Sequence, residues 1–276
     1  MYTLNCKGKL LVIDKPVVMG VINITPDSFY EGSRKQNLED IVQVAAQMLA
    51  EGASILDIGG QSTRPGSERL NAEQEKQRVI PAIEAIIAAY PEAVISVDTY
   101  SAAVAEKAVQ SGAAIINDIS SGDMDEAMLH TVANLKVPYI CMHMQGTPAS
   151  MQKNPQYTDV TAQVSDYLVR KADACKRAGI NDIIIDPGFG FGKTIEHNFI
   201  LLRQLSAFKI LNCPVLAGLS RKSTVYKTLG ITAENALNGT TVLNTIALMN
   251  GADILRVHDV KAAMEVITLF KKYSLR

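Results

Sequence analysis

The sequence predicts an α/β protein, a (β/α)8 TIM barrel, on three observations. Eight short runs rich in Val and Ile recur along the chain, a longer stretch with helical spacing of apolar residues follows each, and a glycine often stands just before the next run. Continuous apolar runs without alternation suit strands of a parallel sheet buried on both faces. Eight such units within 276 residues agree with the barrel in count and length. From the pattern alone a doubly wound open sheet remains the alternative.

In chain order, residues 2–13 precede the first run and read as a short hairpin closing the barrel bottom. The runs are Val17 to Asn23, Ile55 to Gly60, Val94 to Asp98, Ile115 to Asp118, Tyr139 to His143, Ile183 to Asp186, Pro214 to Leu219 and Ile254 to His258. Amphipathic stretches between them include Leu38 to Glu51, Ala72 to Ala89, Ser101 to Gln110, Asp159 to Arg177 and Ala233 to Asn250. Gly52, Gly112, Gly179 and Gly251 fall where a left-handed residue ends a helix. No linker or shift in composition divides the chain, so residues 1–276 are expected to form one domain.

Composition narrows the function. With 27 basic against 28 acidic residues and no single-sign run, the chain lacks the charge footprint of a nucleic-acid binder. No stretch reaches the roughly 18 uncharged apolar residues of a membrane span. No charged-then-apolar leader is visible at the start, and Cys6, Cys141, Cys175 and Cys213 show no paired metal spacing. They read as buried thiols in a reducing compartment, and a cytoplasmic protein is expected.

The polar residues at the strand ends carry the chemistry. They are Asn23, then Gln61 to Arg64, Asp98, Asn117 and Asp118, His143, Asp186, Ser220 to Ser223, and Arg256 with His258. Carboxyl ends of barrel strands face the active site, so these side chains are expected to converge on one mouth. Helix capping is an equal reading for Asp118 and Ser101, but it cannot account for eight ends at once. Arg256 and His258, two apart, share one face of a strand, and two such donors suggest an anion, most simply phosphate or pyrophosphate. Pro187 to Thr194 looks like a phosphate-binding loop, but Pro187 stands where its first glycine belongs and Asp186 would repel a phosphate. The four histidines form no metal cluster by spacing.

Taken together, Gly20 to Phe29 (GVINITPDSF), Asp57 to Gly66 (DIGGQSTRPG), Asp186 to Thr194 (DPGFGFGKT), Ser220 to Ser223 (SRKS) and Arg256-Val257-His258 resemble the signatures of the dihydropteroate synthases, in that family's order. The resemblance spans roughly residues 15 to 265. It implies a Mg2+-dependent barrel, usually a homodimer and a sulfonamide target. The implied reaction joins 6-hydroxymethyl-7,8-dihydropterin pyrophosphate to p-aminobenzoate in folate synthesis. By the same resemblance Asp186 and Asn117 hold the pterin edge, Lys222 contacts its ring, and Met142 and Gly218 pack against it. Asp98 lies near the carbon that becomes cationic. Asn23 with Mg2+, Arg256 and His258 bind pyrophosphate. Phe29, Thr63, Arg64, Pro65, Phe191, Lys222 and Ser223 form the p-aminobenzoate site, with Asp27 and Ser28 beside Phe29 in a closing loop. Asp98, Lys222, Arg256 and His258 make up the implied catalytic set.

The chain departs from the family pattern at Gln61, where Glu is usual, and in the Phe29 to Arg34 loop. Both departures bear on p-aminobenzoate and sulfonamide affinity rather than on the reaction. A methyltetrahydrofolate-binding methyltransferase would use a similar pterin-holding barrel but needs no pyrophosphate clamp. A non-catalytic pterin binder would not need Asn23, Asp98, Lys222 and Arg256 together.

Overall fold

The computed structural model describes residues 1–24, 34–61 and 69–274. The hairpin β1 (Tyr2–Cys6) and β2 (Lys9–Ile13) forms a two-stranded antiparallel sheet of its own. Eight further strands among the described residues are β3 (Val17–Asn23), β4 (Ile55–Gly59), β5 (Ile95–Asp98), β6 (Ile115–Asp118), β7 (Tyr139–Met142), β8 (Ile183–Asp186), β9 (Leu216–Ala217) and β10 (Ile254–Val257). They pair in parallel in the order β8-β7-β6-β5-β4-β3-β10-β9, and a parallel bridge from Ile185 to Val215 brings β8 beside β9. The barrel closes, and the open-sheet alternative is excluded.

Helices follow the strands: α1 (Arg34–Ala50), α2 (Ala72–Ala89), α3 (Ala102–Gln110), α4 (Met128–Leu135), α5 (Val160–Ala178), α6 (Ile195–Arg203), α7 (Ser223–Leu229), α8 (Leu237–Met249) and α9 (Val260–Ser274). Their starts follow local chemistry. Asn71 and Gln74 exchange side-chain and backbone bonds at the start of α2, Asp159 accepts from the Ala162 amide, and Thr194 pairs reciprocally with His197. His197 is thereby accounted for as a cap. Helix α8 begins four residues later than the sequence suggests, because the Ala233 and Glu234 carbonyls accept from Arg221 Nη1 instead of starting a helix. Strand β9 is shorter than its apolar run, because the Asp253 carboxylate takes the Val215 amide that would otherwise extend the ladder.

Two cores result. The larger lies between barrel and helices, and includes Ile58, Val97, Leu168 and Phe208. The smaller fills the barrel and its lower end, where Leu4, Cys6 and Ile13 of the hairpin meet Val17, Met19, Ile55, Ile115, Ile140, Ile184, Leu216 and Ile254. The hairpin thus seals the bottom with apolar side chains, and Asn5 N donates to Asp182 Oδ2 at 2.8 Å to fix it there. All four cysteines are buried and unbridged. No helix among the described residues is long and apolar enough to cross a membrane.

Candidate active site

Inside each strand the inward face recurs every second residue, so the chain climbs from the apolar floor to a polar mouth. Met19 leads to Asn23 on β3, Ile55 to Asp57 on β4, Ile115 to Asn117 on β6, Ile140 to Met142 on β7, Ile184 to Asp186 on β8, and Ile254 to Arg256 on β10. Two glycines keep this layer open. A β-carbon at Gly59 would stand 3.5 Å from Asp98 Cβ and 3.7 Å from Asn23 Oδ1, and one at Gly218 would stand 3.6 Å from Lys222 Nζ. Asn23, Asp98, Lys222 and Arg256 are therefore neighbours of one space.

The pivot is Asp57, a residue that the strand-end reading passed over. It is wholly buried, and its Oδ2 accepts from Arg256 Nε at 2.7 Å and from Asn117 Nδ2 at 3.1 Å. Arg256 also reaches Asp98 Oδ2 through Nη2 at 2.7 Å. One guanidinium thus serves two carboxylates. Burial drives Asp98 up to about 7, Arg256 pulls it back, and Asp57 pushes it further up. Because a carboxylate only accepts, the Asn117 atom facing Asp57 is its nitrogen, which leaves the amide oxygen for donors in the mouth.

Asp186 is buried, and its Oδ1 accepts from the Gly188 amide at 2.7 Å. Burial raises its pKa, and Lys222 is the strongest opposing influence. Lys222 caps α7, donates to the Phe189 carbonyl and lies 4.8 Å from the Phe191 ring centre. Its ammonium is pushed down to about 8, by burial first, while Asp186 holds it up. Ser223 opens α7 beside it, half-buried. Met142 packs with Tyr100 and Ile119 in a small apolar cluster, and Phe191 lies against that cluster. The mouth therefore has an apolar wall beside its row of acceptors, suited to a flat, nitrogen-rich ring.

His258 lies just beyond β10, exposed, with its Nδ1 3.0 Å from Ser220 Oγ. Arg221 is bonded twice to Asp259 at 2.8 Å, which straps the loop after β9 to the loop after β10 and presents Lys222. Asp118 turns out to hold a turn: it accepts from Ser120, the Gly122 amide and Tyr139 Oη. Gln61 Oε1 accepts from the Leu70 amide at 2.7 Å and ties together the two ends of the following loop. That bond needs only an oxygen, so it does not depend on the charge of the usual Glu. Phe29, Thr63, Arg64 and Pro65, with Asp27 and Ser28, lie outside the described residues.

Among the described residues no cluster of three or more His, Cys, Asp or Glu could hold a metal ion. The donor that fits Mg2+ is the amide oxygen of Asn23, exposed at the end of β3. One hard oxygen suits an ion carried chiefly by substrate phosphates and water.

A closed barrel whose mouth sets paired acceptors and a shared guanidinium beside an apolar wall suits an enzyme that binds a flat, nitrogen-rich heterocycle. The chain belongs to the pterin binding enzymes, whose sequence pattern matches residues 19–258. Its relatives are dihydropteroate synthases. That of Escherichia coli K12 is 43% identical over 263 residues, covering 95% of this chain and 93% of its own length. The Xanthomonas albilineans dihydropteroate synthase with 4-aminobenzoic acid superposes with a TM-score of 0.92 at 40% identity over 99% of both chains. The same enzyme in complex with 7,8-dihydropteroate gives 0.89 at 38% identity over 100% of both chains. The Yersinia pestis enzyme in a sulfonamide drug complex gives 0.92 at 39% identity over 99% of both chains.

Proposed function

We propose that this chain is a transferase of folate biosynthesis that condenses 6-hydroxymethyl-7,8-dihydropterin pyrophosphate with p-aminobenzoate, releasing 7,8-dihydropteroate and pyrophosphate. The observation that carries this reading is the meeting of Asp186, Lys222, Asn117 and Arg256 at one barrel mouth, with Asn117 and Arg256 joined through Asp57, beside Met142 and Phe191.

The pterin edge presents a guanidine-like row of N–H groups. Asp186 and the free oxygen of Asn117 accept them, Lys222 donates to the ring's oxo side, and Met142 with the space over Gly218 receives its flat face. The bond from the pterin methylene to the pyrophosphate oxygen then breaks, and its electron pair leaves with the pyrophosphate. Positive charge develops on the methylene and the conjugated ring, where Asp98 in its ionised form opposes it. Arg256 and His258 meet the departing anion, and Asn23 orients it. Bound Mg2+ supplies neutralisation of the phosphate charge. The neutral amine of p-aminobenzoate gives its lone pair to the methylene carbon and loses a proton to solvent or to pyrophosphate, so no strong base is required. Phe191, Lys222 and Ser223 would line the arylamine side, with Phe29, Thr63, Arg64 and Pro65.

On helix α8, Val242 and Met249 are at least half exposed and Ile246 is partly so, with Leu229 exposed at the end of α7. This apolar face supports a homodimer. Sulfonamides, which copy the aniline end of p-aminobenzoate, are proposed inhibitors, and a cytoplasmic location fits the buried free thiols. The test is pyrophosphate release, which should need Mg2+ and both substrates together. Release with the pterin substrate alone at the same rate would reject the condensation.

A further inference from the structure

Lys193 ends the glycine-rich segment that looks like a phosphate-binding loop, yet it is only 3% exposed. Its Nζ lies 2.9 Å from the Gly188 carbonyl oxygen, 3.0 Å from that of Phe191, 2.9 Å from His143 Nδ1 and 3.3 Å from the His143 carbonyl oxygen. Nζ thus meets acceptors drawn from two separate loops, after β7 and after β8. Burial, and next Lys193 itself, push the His143 imidazole down to about 3, so its Nδ1 accepts at neutral pH. All four partners are uncharged; burial holds the Lys193 pKa well below its ordinary value, and the nearby Asp186 carboxylate opposes that shift.

Those partners belong to backbone that carries the site. The Gly188 amide donates to Asp186, the Phe189 carbonyl accepts from Lys222, and the Phe191 ring lies against the Lys222 ammonium. The two loops approach so closely that a β-carbon at Gly188 would collide with the His143 carbonyl oxygen. No side chain is available between them at that point; Lys193 ties them from within the protein, while Gln152 Nε2 donates to the Gly190 carbonyl at 2.6 Å and Tyr157 Oη to the Gly192 carbonyl at 2.8 Å farther along. We propose that Lys193 is a positioning residue: its Nζ staples the loop after β7 to the loop after β8 and so helps hold Asp186, Lys222 and Phe191 in place for the pterin. The ligand rests on the function proposed above; the staple does not.

The experiment replaces Lys193 with Met, which has similar length and no donor, and with Gln, which is too short to span both loops. Several buried hydrogen bonds meet at Nζ, and their loss together should raise the Michaelis constant for pterin pyrophosphate roughly tenfold or more. The turnover number should change by less than about threefold. Amide hydrogen exchange should quicken in residues 188–192 and 143–146 and stay unchanged in the β1–β2 hairpin. A lysine that merely supports folding would lower turnover with the active fraction and leave the Michaelis constant alone. An unchanged constant together with unchanged exchange in the two loops overturns the proposal, and either variant suffices if the other fails to fold. Should wild-type protein make no dihydropteroate, the functional reading fails while the exchange measurement still decides the staple.

Discussion

Arg256 meets Asp57 on a single oxygen: Nε at 2.7 Å and Nη2 at 2.6 Å both reach Oδ2. Asn117 is bonded to the same atom, while Asp57 Oδ1 is buried with no hydrogen-bond partner among the described residues. One carboxylate thereby orients both the Asn117 amide and the Arg256 guanidinium, and Asp98 is coupled to it through the shared cation.

Asp57→Asn should destabilise the fold and change the pH response together. Breaking a buried charge pair costs on the order of 3 kcal/mol, so the melting temperature should fall clearly. Because the Asp57 charge pushes the Asp98 pKa up, its removal should let Asp98 ionise at lower pH. The acid limb of kcat/KM should then move down. Calorimetry and a pH–rate series check both effects; an unmoved limb would dissociate Asp57 from Asp98.

In the wild type, kcat/KM should be bell-shaped. Asp98, raised to about 7, loses its negative charge as pH falls through that value. Lys222, lowered to about 8, loses its positive charge as pH rises through that one. The optimum should lie between, and the apparent values belong to the coupled set. Asp98→Asn should abolish the acid limb and lower the maximum. A flat profile across this range would remove both groups from the reaction.

Asp186→Asn should weaken pterin binding far more than p-aminobenzoate use at saturating pterin substrate. Each hydrogen bond to a charged group contributes about 1.5–3 kcal/mol, so losing a doubled contact predicts a dissociation constant on the order of 10²-fold higher. Asn can still accept from the Gly188 amide, so the loop should survive. Titration calorimetry with a pterin measures this directly.

Chelation of divalent metal should suppress turnover while leaving the melting curve of the free protein unchanged, because Asn23 alone offers too few oxygens to retain an ion. Tight metal retention through dialysis without substrate would contradict that arrangement.

Most of the fold, and the convergence of the polar strand ends, was legible because both rest on local rules. Apolar runs report buried strands, and a period of two carries each inward position from floor to mouth, as from Ile184 to Asp186. What escaped depends on distant partners. Asp57 is a charge inside the run Ile55 to Gly60, and that was the available signal, but its role requires Arg256, 199 positions away. Lys193 was set aside with its false phosphate loop, since nothing nearby in sequence reveals the His143 acceptor. The shortening of β9 likewise hangs on Asp253, 38 positions from Val215. The expectation for Asp118 was divided between capping and ligand, and its turn bonds resolve it.

The parallel pairing of β3 with β10, with Met19 opposite Arg256, joins the first barrel strand to the last. During synthesis the ribosome releases β3 and β4 long before β10 exists. Until then Asp57 has no guanidinium, and the floor residues Val17 and Met19 lack Ile254 as a neighbour. The nascent barrel therefore stays open at one seam, with an uncompensated carboxylate that resists burial. Only the final segment supplies the counter-charge and the strand that this seam and the site both need.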